Sequence, residues 1–204
     1  NLIQNKLSKQ SIEKFIDNAN QSTELLTTNL NRASELITSF KHVAVDQTSD
    51  KIRLMNVAKY FDEIIQSLHP KLKQTSHCVK VHCEQSIEIY SHPGAIAQII
   101  INLIINSIIH GFENINRGEI NIDIHYSQQK LHLHYSDNGH GLSKENLENL
   151  FTPFFTTKAD KGGTGLGTHI ISNLVIDTLN GVIEARSEVE QGLSYHIIIP
   201  DMRS

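Results

Sequence analysis

The chain has 204 residues, of which 39% are hydrophobic and 20% are charged, with a formal net charge of −4. This length suits one domain, or one domain with an appendage, and the apolar content suffices for a buried core. Because the charge balance is slightly acidic, the composition provides no basic field to hold a polyphosphate backbone, and we expect no nucleic-acid partner.

The longest apolar stretch, residues 99–105, is interrupted by Asn102, whereas a membrane span needs about 20 apolar residues. We therefore expect no membrane contact by this chain. Cys78 and Cys83 cannot build a disulfide framework and match no common zinc spacing, so a reducing, cytoplasmic compartment is expected. The chain begins at Asn1 without a signal peptide, and we expect an internal piece of a longer protein.

The first 45 residues contain no Gly or Pro, and their apolar or small residues recur in alternating steps of four and three. This seam comprises Ile12, Ile16, Ala19, Thr23, Leu26, Leu30, Ala33, Ile37, Phe40 and Ala44. A strict 3.5-residue period is typical of coiled coils, so residues 1–45 are predicted to form a long helix that pairs in a dimer or a helical hairpin. An amphipathic helix packed on its own domain is the alternative.

After a polar linker predicted at 46–55, hydrophobic periodicity and turn residues predict alternating helices and strands. Helices are expected at 57–73, 93–110, 144–150 and 166–179, and strands at 79–82, 87–91, 119–127, 130–137, 182–188 and 193–199. Asn56 is a suitable N-cap, and Pro93 suits a first helical turn. Antiparallel strand pairs with separate helices indicate an α+β domain built as a two-layer α/β sandwich.

Two glycine clusters, at 137–141 and 162–167, lie in or beside a long segment (138–164) that predicts a lid or binding loop. The second cluster leads into a helix, where glycine lets backbone N–H groups approach an anion and the helix N-terminus adds positive partial charge. Phosphate is the natural ligand. The dinucleotide fingerprint, the P-loop and the motifs of eukaryotic-type protein kinases are all absent.

Asn102 and Asn106 lie four residues apart, on one face of a helix otherwise rich in isoleucine and leucine. Buried amides need partners, so either the pair is hydrogen-bonded locally or Asn106 offers its oxygen to Mg²⁺. Asp137 ends a strand, and its acceptor-only carboxylate suits the exocyclic amine of adenine rather than the carbonyl of guanine. A turn-forming aspartate is the alternative for Asp137.

Four motifs occur in one order: Asn102-x-x-x-Asn106, Asp137-x-Gly139-x-Gly141, Phe151-x-Pro153-Phe154-Phe155 and Gly163-x-Gly165-x-Gly167. With this order and spacing, residues 56–200 resemble the ATP-binding domain of bacterial sensor histidine kinases, in the superfamily that includes gyrase, Hsp90 and MutL. The resemblance implies a Bergerat-type sandwich with a mixed, mostly antiparallel sheet and three helices. ATP and Mg²⁺ would lie beneath a lid between Asn138 and Thr164.

By this resemblance Asn106 would bind Mg²⁺ and Asp137 would contact adenine. The expected nucleotide-binding set is Asn102, Asn106, His110, Asp137, Gly139, Gly141, Phe154, Lys158, Thr164, Gly165, Leu166 and Gly167, with Asn102 and Asn106 as the catalytic candidates. Three phenylalanines, Phe151, Phe154 and Phe155, would anchor the lid. Lys158 and Lys161 either pair with phosphates or are solvated loop lysines.

Relatives that hydrolyse ATP carry a glutamate four residues before the Mg²⁺ asparagine, where this chain has Asn102. An amide takes no proton at neutral pH, so transfer to an external nucleophile is favoured over hydrolysis. The resemblance implies transfer to a protein histidine and relay to the aspartate of a response regulator receiver domain. A non-catalytic ATP-sensing dimerisation module and an anti-sigma-type protein-serine kinase are the alternatives.

Residues 29–41 resemble the second helix of the family's phosphotransfer hairpin, so 1–45 is expected to form a homodimer and 56–204 the catalytic domain. No histidine here begins a His-Glu-x-x-x-Pro acceptor box, so the acceptor is expected upstream of Asn1, with His42 as the alternative. Leu193 lies near where many relatives have a threonine that helps to hold adenine. The resemblance also implies a cytoplasmic fragment of a parent anchored in the bacterial inner membrane.

Twelve histidines raise a separate metal hypothesis. His132 and His134 share one face of a predicted strand, and His125 lies on its partner strand. No Cys, Asp or Glu completes a tetrahedral set in this pattern, so a surface metal site is the weaker interpretation.

Overall fold

A computed structural model describes residues 12–23, 26–27, 51–158 and 164–203. Residues 12–23 are helical with every side chain exposed, including the seam positions Ile12 and Ile16. The described part of this helix is therefore not buried against the domain. The remainder of the predicted seam after Leu26, together with His42, lies outside the described residues, so helix pairing stays a prediction.

The strands and helices follow the predicted order closely. The strands are β1 (Arg53–Asn56), β2 (Cys78–Cys83), β3 (Glu88–Ser91), β4 (Glu119–Ser127), β5 (Lys130–Asp137), β6 (Val182–Ser187) and β7 (Leu193–Pro200). The helices are α1 (Val57–Leu72), α2 (Pro93–Asn106), α3 (Lys144–Glu148) and α4 (Gly167–Asn173). Two π-helical turns, Ser107–Gly111 and Leu174–Thr178, extend α2 and α4 respectively.

The main sheet has five strands in the order β2-β4-β5-β7-β6. Strands β2 and β4 are parallel, and every other neighbouring pair in this sheet is antiparallel. The β4–β5 hairpin turns at Gln128 and Gln129, whose φ angles of 51° and 58° match the right-handed twist of the paired strands. This mixed, mostly antiparallel sheet agrees with the predicted fold class.

Strand β1 corrects the predicted linker at 46–55. Residues Arg53, Leu54 and Met55 belong to β1, which pairs with β3 in a separate two-stranded sheet. The partner strand lies more than 30 residues away in sequence, so local polarity did not indicate this pairing. Met55 is buried, while Arg53 and Leu54 are exposed. With so little of the strand buried, its sequence resembles that of a linker.

The core lies between one face of the main sheet and the helices. Sheet residues pointing into it include Ile120, Ile122, Leu131, Leu133, Tyr135, Ile197 and Ile199, which meet Ile96, Ile100, Leu103 and Ile104 of α2. Helix α2 lies next to both α1 and α4. By length and composition alone, Pro93–Gly111 is apolar enough to cross a membrane. Its side chains at Ile96, Ile99, Ile100, Leu103 and Ile104 are buried in this core, as expected for the central helix of a sandwich, while Ile109 is exposed.

The opposite face of the sheet carries the predicted cluster of histidines. His125 lies directly across from His132, and their rings stack with centroids 4.7 Å apart. The pKa of His132 is below its usual value, first because of burial and then because of repulsion from His125 and His196. No group of three or more His, Cys, Asp or Glu within the described ranges is placed to hold a metal ion.

Asn56 connects α1 to the loop between β2 and β3. Its side-chain oxygen accepts a hydrogen bond from the Lys59 amide (2.9 Å), which caps the helix, and its Nδ2 donates to the Gln85 carbonyl (2.8 Å). One side chain thus satisfies an end of the helix and fixes where the helix enters the domain.

We expect Asn56→Ala to lower the free energy of unfolding by about 1 kcal/mol, because the helix loses its cap. Urea denaturation followed by circular dichroism measures this difference. Asn116→Ala, at an exposed loop position, is the control and should leave the midpoint unchanged. Equal midpoints for both variants would contradict the capping role.

Candidate functional site

The predicted amide pair lies on α2 as expected. Nε2 of Gln98 donates to Oδ1 of Asn102 at 2.9 Å, and Nδ2 of Asn102 is buried with no hydrogen-bond partner in the described structure. Because a buried donor is seldom left unpaired in native proteins, this nitrogen indicates a place for an acceptor that the chain itself does not supply. The local-pairing alternative therefore accounts for only one end of the Asn102 amide.

Asn106 lies one turn further along α2, beside the start of α4. A Cβ atom at Gly167 would lie 3.3 Å from Oδ1 of Asn106, which is tighter than ordinary van der Waals contact. The glycine thus allows the α4 backbone to approach the amide closely. We find no hydrogen bond to the Asn106 side chain among the described residues, so its oxygen is available to a ligand.

Asp137 is buried, and donors from three separate elements bind its carboxylate. Oδ1 accepts from the amides of Gly139 (2.9 Å) and Leu193 (3.2 Å), and Oδ2 accepts from Oγ of Ser107 at 2.5 Å. The Ser107 proton is committed to this carboxylate, so the single Tyr135 hydroxyl proton is shared between Ser107 Oγ at 2.7 Å and the Leu103 carbonyl oxygen at 3.1 Å. The turn-forming role proposed as an alternative for Asp137 is present, but it involves only one of the two carboxylate oxygens.

The first glycine cluster packs tightly against the end of α2. A Cβ atom at Gly139 would lie 2.7 Å from the Gly111 carbonyl oxygen, so only glycine fits without a shift of the backbone. The next amide, of His140, donates to that same carbonyl at 3.0 Å. Gly141 adopts a φ of 65°, a left-handed conformation that favours glycine.

The His140 ring fixes this turn from the outside. Its Nε2 lies 2.5 Å from the Glu113 carbonyl oxygen, and its Nδ1 lies 3.3 Å from Oε1 of Glu190. The pKa of His140 is raised, first by the hydrogen bond to the Glu113 carbonyl and next by the Glu190 carboxylate. Both partners are acceptors, so they favour the doubly protonated ring.

The second glycine cluster is described from Thr164 onward, and residues 159–163, including Lys161, lie outside the described ranges. Oγ1 of Thr164 accepts from the Leu166 amide at 3.4 Å, and Gly165 has a φ of 66°. Helix α4 then begins at Gly167 without a side-chain cap. Its first-turn amides therefore have no side-chain acceptor, which suits an anionic ligand.

Lys158 and His110 lie together at the far end of α2. Nζ of Lys158 binds the carbonyl oxygen of Ile109 (2.6 Å) and Oε2 of Glu113 (2.8 Å). The solvated-lysine alternative is thus wrong for Lys158, whose side chain is 13% exposed. The pKa of His110 is lowered, chiefly by burial and then by the Lys158 charge, which favours the neutral ring.

The three phenylalanines differ in environment. Phe151 packs against Tyr195 with ring centroids 6.4 Å apart, and Phe155 is half-buried. Phe154 is 70% exposed and has a φ of 64°, so the expectation that it anchors the lid by burial is wrong.

Three residues that the sequence patterns did not single out support this site: Gln98, Ser107 and Tyr135. Ser107 meets Tyr135 and Asp137 across about 30 residues of sequence, so no local pattern could indicate this contact. The contact of Gln98 could have been found from the sequence, because Gln98 lies four residues before Asn102 and therefore on the same helix face.

The chain matches the family described as histidine kinase-, DNA gyrase B-, and HSP90-like ATPase over residues 91–203, more than half of its length. It therefore belongs to that family. Its fold is that of a histidine kinase catalytic domain: the catalytic domain of histidine kinase ThkA superposes with a TM-score of 0.64 at 24% identity, covering 74% of this chain and 96% of that one.

The chain is 34% identical over 113 residues to the sensor histidine kinase ZraS of Salmonella typhimurium, covering 55% of this chain and 23% of that protein. It is 27% identical to the sensor protein DegM of a Bacillus species, covering 79% of this chain and 41% of that protein. It thus spans less than half the length of these curated relatives. The structure of ThkA in complex with the response regulator protein TrrA is also similar, with a TM-score of 0.62, 21% identity, and coverage of 96% of this chain and 53% of that one.

We expect Ser107→Ala to destabilise the domain by about 1–3 kcal/mol, because one oxygen of a buried carboxylate loses its donor. Urea denaturation measures this loss. Ser172→Ala, at a partly exposed position of α4, is the control for the helix propensity gained by alanine. A Ser107→Ala variant as stable as Ser172→Ala would contradict the assigned hydrogen bond.

We expect the pKa of His140 in the folded domain to exceed the usual value of about 6.5 and to fall toward it in Glu190→Gln. Because the folded pKa is raised, the stabilisation by His140 is fully present below about pH 6.5 and is lost as pH rises through the folded pKa. NMR titration of the ring protons measures both values. An identical pKa in the two proteins would exclude the Glu190 contribution.

Proposed function

We propose that this chain is the ATP-binding catalytic core of a two-component sensor histidine kinase. The reaction would transfer the γ-phosphoryl group of ATP to a protein histidine, releasing ADP, with later relay to a response regulator. The observation that carries this proposal is the set of polar groups along α2. Asn102 has a buried amide nitrogen without a partner, and Asn106 has a free amide oxygen. At the end of the helix, Ser107 binds the buried carboxylate of Asp137, which belongs to β5.

Asp137 would recognise the adenine base. Its carboxylate is acceptor-only and is oriented by Ser107, Gly139 and Leu193, so the remaining lone pair, on Oδ2, keeps a fixed direction. An exocyclic amine of adenine would donate to it, whereas the carbonyl of guanine would be repelled. Leu193 contributes a backbone amide here, at the position where relatives have a side-chain hydroxyl by the resemblance noted above.

The phosphate end would lie between α2 and the start of α4. The uncapped first turn of α4, which begins at Gly167, and the preceding Gly165 would offer backbone N–H groups to phosphate oxygens, while the Leu166 amide donates to Thr164. The amide oxygen of Asn106 suits Mg²⁺, a hard cation that prefers oxygen ligands, and nothing in the described structure competes for it. When bound, Mg²⁺ would neutralise charge that develops on the phosphates.

Asn102 stands where a general base would be needed for hydrolysis. Its amide accepts no proton at neutral pH, so this site would not activate water and would favour a nucleophile brought in from another part of the protein. Positioning and electrostatic stabilisation would then supply most of the catalysis. The acceptor histidine would lie on the upstream helix of the phosphotransfer hairpin.

Lys158 would hold the cleft rather than contact phosphate in this arrangement. Its ammonium group is bound by Glu113 and by the Ile109 carbonyl at the end of α2. This contact fixes the predicted lid, near its C-terminal end, to the helix that carries Asn102 and Asn106. Thr164, the last residue of the predicted lid, is fixed by its bond to Leu166.

The proposed partners follow from this role. The histidine kinase ThkA, which shares this fold, forms a complex with a response regulator protein, and we propose a receiver domain as partner here. Homodimerisation through residues 1–45 and a cytoplasmic position, within a parent anchored in the bacterial inner membrane, complete the proposal. The exposed apolar side chains of Ile12, Phe15 and Ile16 are compatible with helix pairing.

Asn106→Ala should weaken Mg-ATP binding by more than about tenfold, because the metal-side oxygen is lost. Isothermal titration calorimetry measures this change. Asn121→Ala, on the outer face of β4, is the control and should bind as the wild type does. An Asn106→Ala variant with wild-type affinity would contradict the metal assignment.

The same proteins test the reaction. Labelled ATP and a separately supplied acceptor hairpin should give acid-labile, base-stable label on histidine with the wild type and with Asn121→Ala, and none with Asn106→Ala. Label on serine would instead indicate the serine-kinase alternative. Tight ATP binding without any transfer would indicate an ATP-sensing module.

A further inference from the structure

The side-chain amide of Asn102 has a hydrogen-bond partner at its oxygen but none at its nitrogen in the described structure. Its oxygen accepts from Nε2 of Gln98 at 2.9 Å, and its nitrogen is one of four buried side-chain polar atoms that lack a hydrogen-bond partner in the described structure. Gln98 and Asn102 lie four residues apart, one above the other on the same face of α2. This pair is polar within a helix whose other buried side chains are apolar or small.

An amide side chain has two different ends, and a partner at one end determines what the other end offers. Because Gln98 donates to the Asn102 oxygen, Asn102 presents its NH₂ group to the cleft. The reverse pairing, with Asn102 donating to Gln98, would present an acceptor instead. Gln98 therefore decides whether the cleft meets a hydrogen-bond donor or an acceptor at this position.

The Asn102 NH₂ group lies at the end of the cleft that is far from the proposed adenine position at Asp137. Ser107, which binds Asp137, follows Asn102 by five residues, which is about 7.5 Å along a helix. Asn106 lies between them, next to the start of α4. A nucleotide whose adenine reaches Asp137 would therefore bring its phosphates, which carry only acceptor oxygens at neutral pH, toward Asn102.

We propose that Gln98 is a positioning residue that holds Asn102 as a hydrogen-bond donor toward a phosphate oxygen of the bound nucleotide. This inference rests on the proposed function and assigns opposite roles to the two asparagines. Asn106 supplies an oxygen for the metal, and Asn102 supplies a nitrogen for the phosphate. A glutamine at 98 suits this task because, unlike glutamate, it can donate.

The test uses Gln98→Glu, which keeps the shape of the side chain but can only accept. Asn102 would then turn its NH₂ group toward residue 98 and present its oxygen to the phosphate. We expect Mg-ATP affinity, measured by isothermal titration calorimetry, to fall at least about tenfold. Gln98→Met, which cannot donate and accepts only weakly through sulfur, leaves Asn102 free to turn and should cost less than about threefold.

The added negative charge of Gln98→Glu also repels phosphate, so the same substitution is measured in an Asn102→Ala background. If Gln98 acts through Asn102, the loss of affinity is clearly smaller in that background. Equal losses in both backgrounds would show that residue 98 acts by charge alone and would overturn the proposal. So would a Gln98→Glu variant that binds Mg-ATP as the wild type does.

A second measurement needs no substitution that affects folding. The side-chain NH₂ resonances of Asn102 in the wild-type chain should shift downfield when Mg-ATP is added, because the amide protons enter a hydrogen bond to an anion. Unchanged resonances at saturating Mg-ATP would overturn the donor assignment. A wild-type chain that binds no Mg-ATP would refute the proposed function itself, whereas normal binding with unaltered Asn102 resonances would refute only this inference.

Discussion

The buried carboxylate of Asp137 is the constraint that organises this domain. A carboxylate removed from water must be surrounded by donors, and here they come from the end of α2, the turn after β5 and the start of β7. Each donor belongs to a different part of the chain. Forming this single cluster therefore sets the relative positions of the central helix, the first glycine turn and the last strand.

The glycine positions follow from the same constraint. Gly139 lies where a side chain would collide with the Gly111 carbonyl, so the chain can pass between Asp137 and the end of α2 only without a Cβ atom. Gly167 likewise lets the α4 backbone approach Asn106, since a Cβ atom there would lie 3.3 Å from its Oδ1. The two glycine clusters thus allow the backbone to approach the Gly111 carbonyl and the Asn106 amide closely. This close approach places a polar cleft beside an otherwise apolar helix.

Much of this arrangement was predictable from the sequence because the signals are local. The amide spacing on α2, the hairpin at 119–137 and the glycine clusters depend on neighbours within a few residues, and the structure agrees with the predicted elements to within a few positions. The helix cap at Asn56 is another local signal, and its hydrogen bond to Lys59 confirms it.

The features that escaped prediction depend on contacts distant in sequence. Strand β1 exists because it pairs with β3, and its exposed Arg53 and Leu54 carry no strand-like alternation. The parallel pairing of β2 with β4 requires a crossover that no periodicity reports. Ser107 matters only because Asp137 folds back onto it, and Phe154 combines an exposed side chain with a left-handed backbone that phenylalanine rarely adopts.

Strand β3 has a further consequence, because the first and last described segments of the domain flank it. On one side it pairs with β1, and on the other the Met202 amide donates to the Tyr90 carbonyl while the Tyr90 amide donates to Asp201. Arg203 also reaches the Glu88 carbonyl. The entry and the exit of the domain are therefore neighbours in space. Such a domain is suited to circular permutation, with a short peptide joining these ends and new termini opened at the tight turn between β4 and β5, at the opposite end of β5 from Asp137 and the proposed nucleotide cleft.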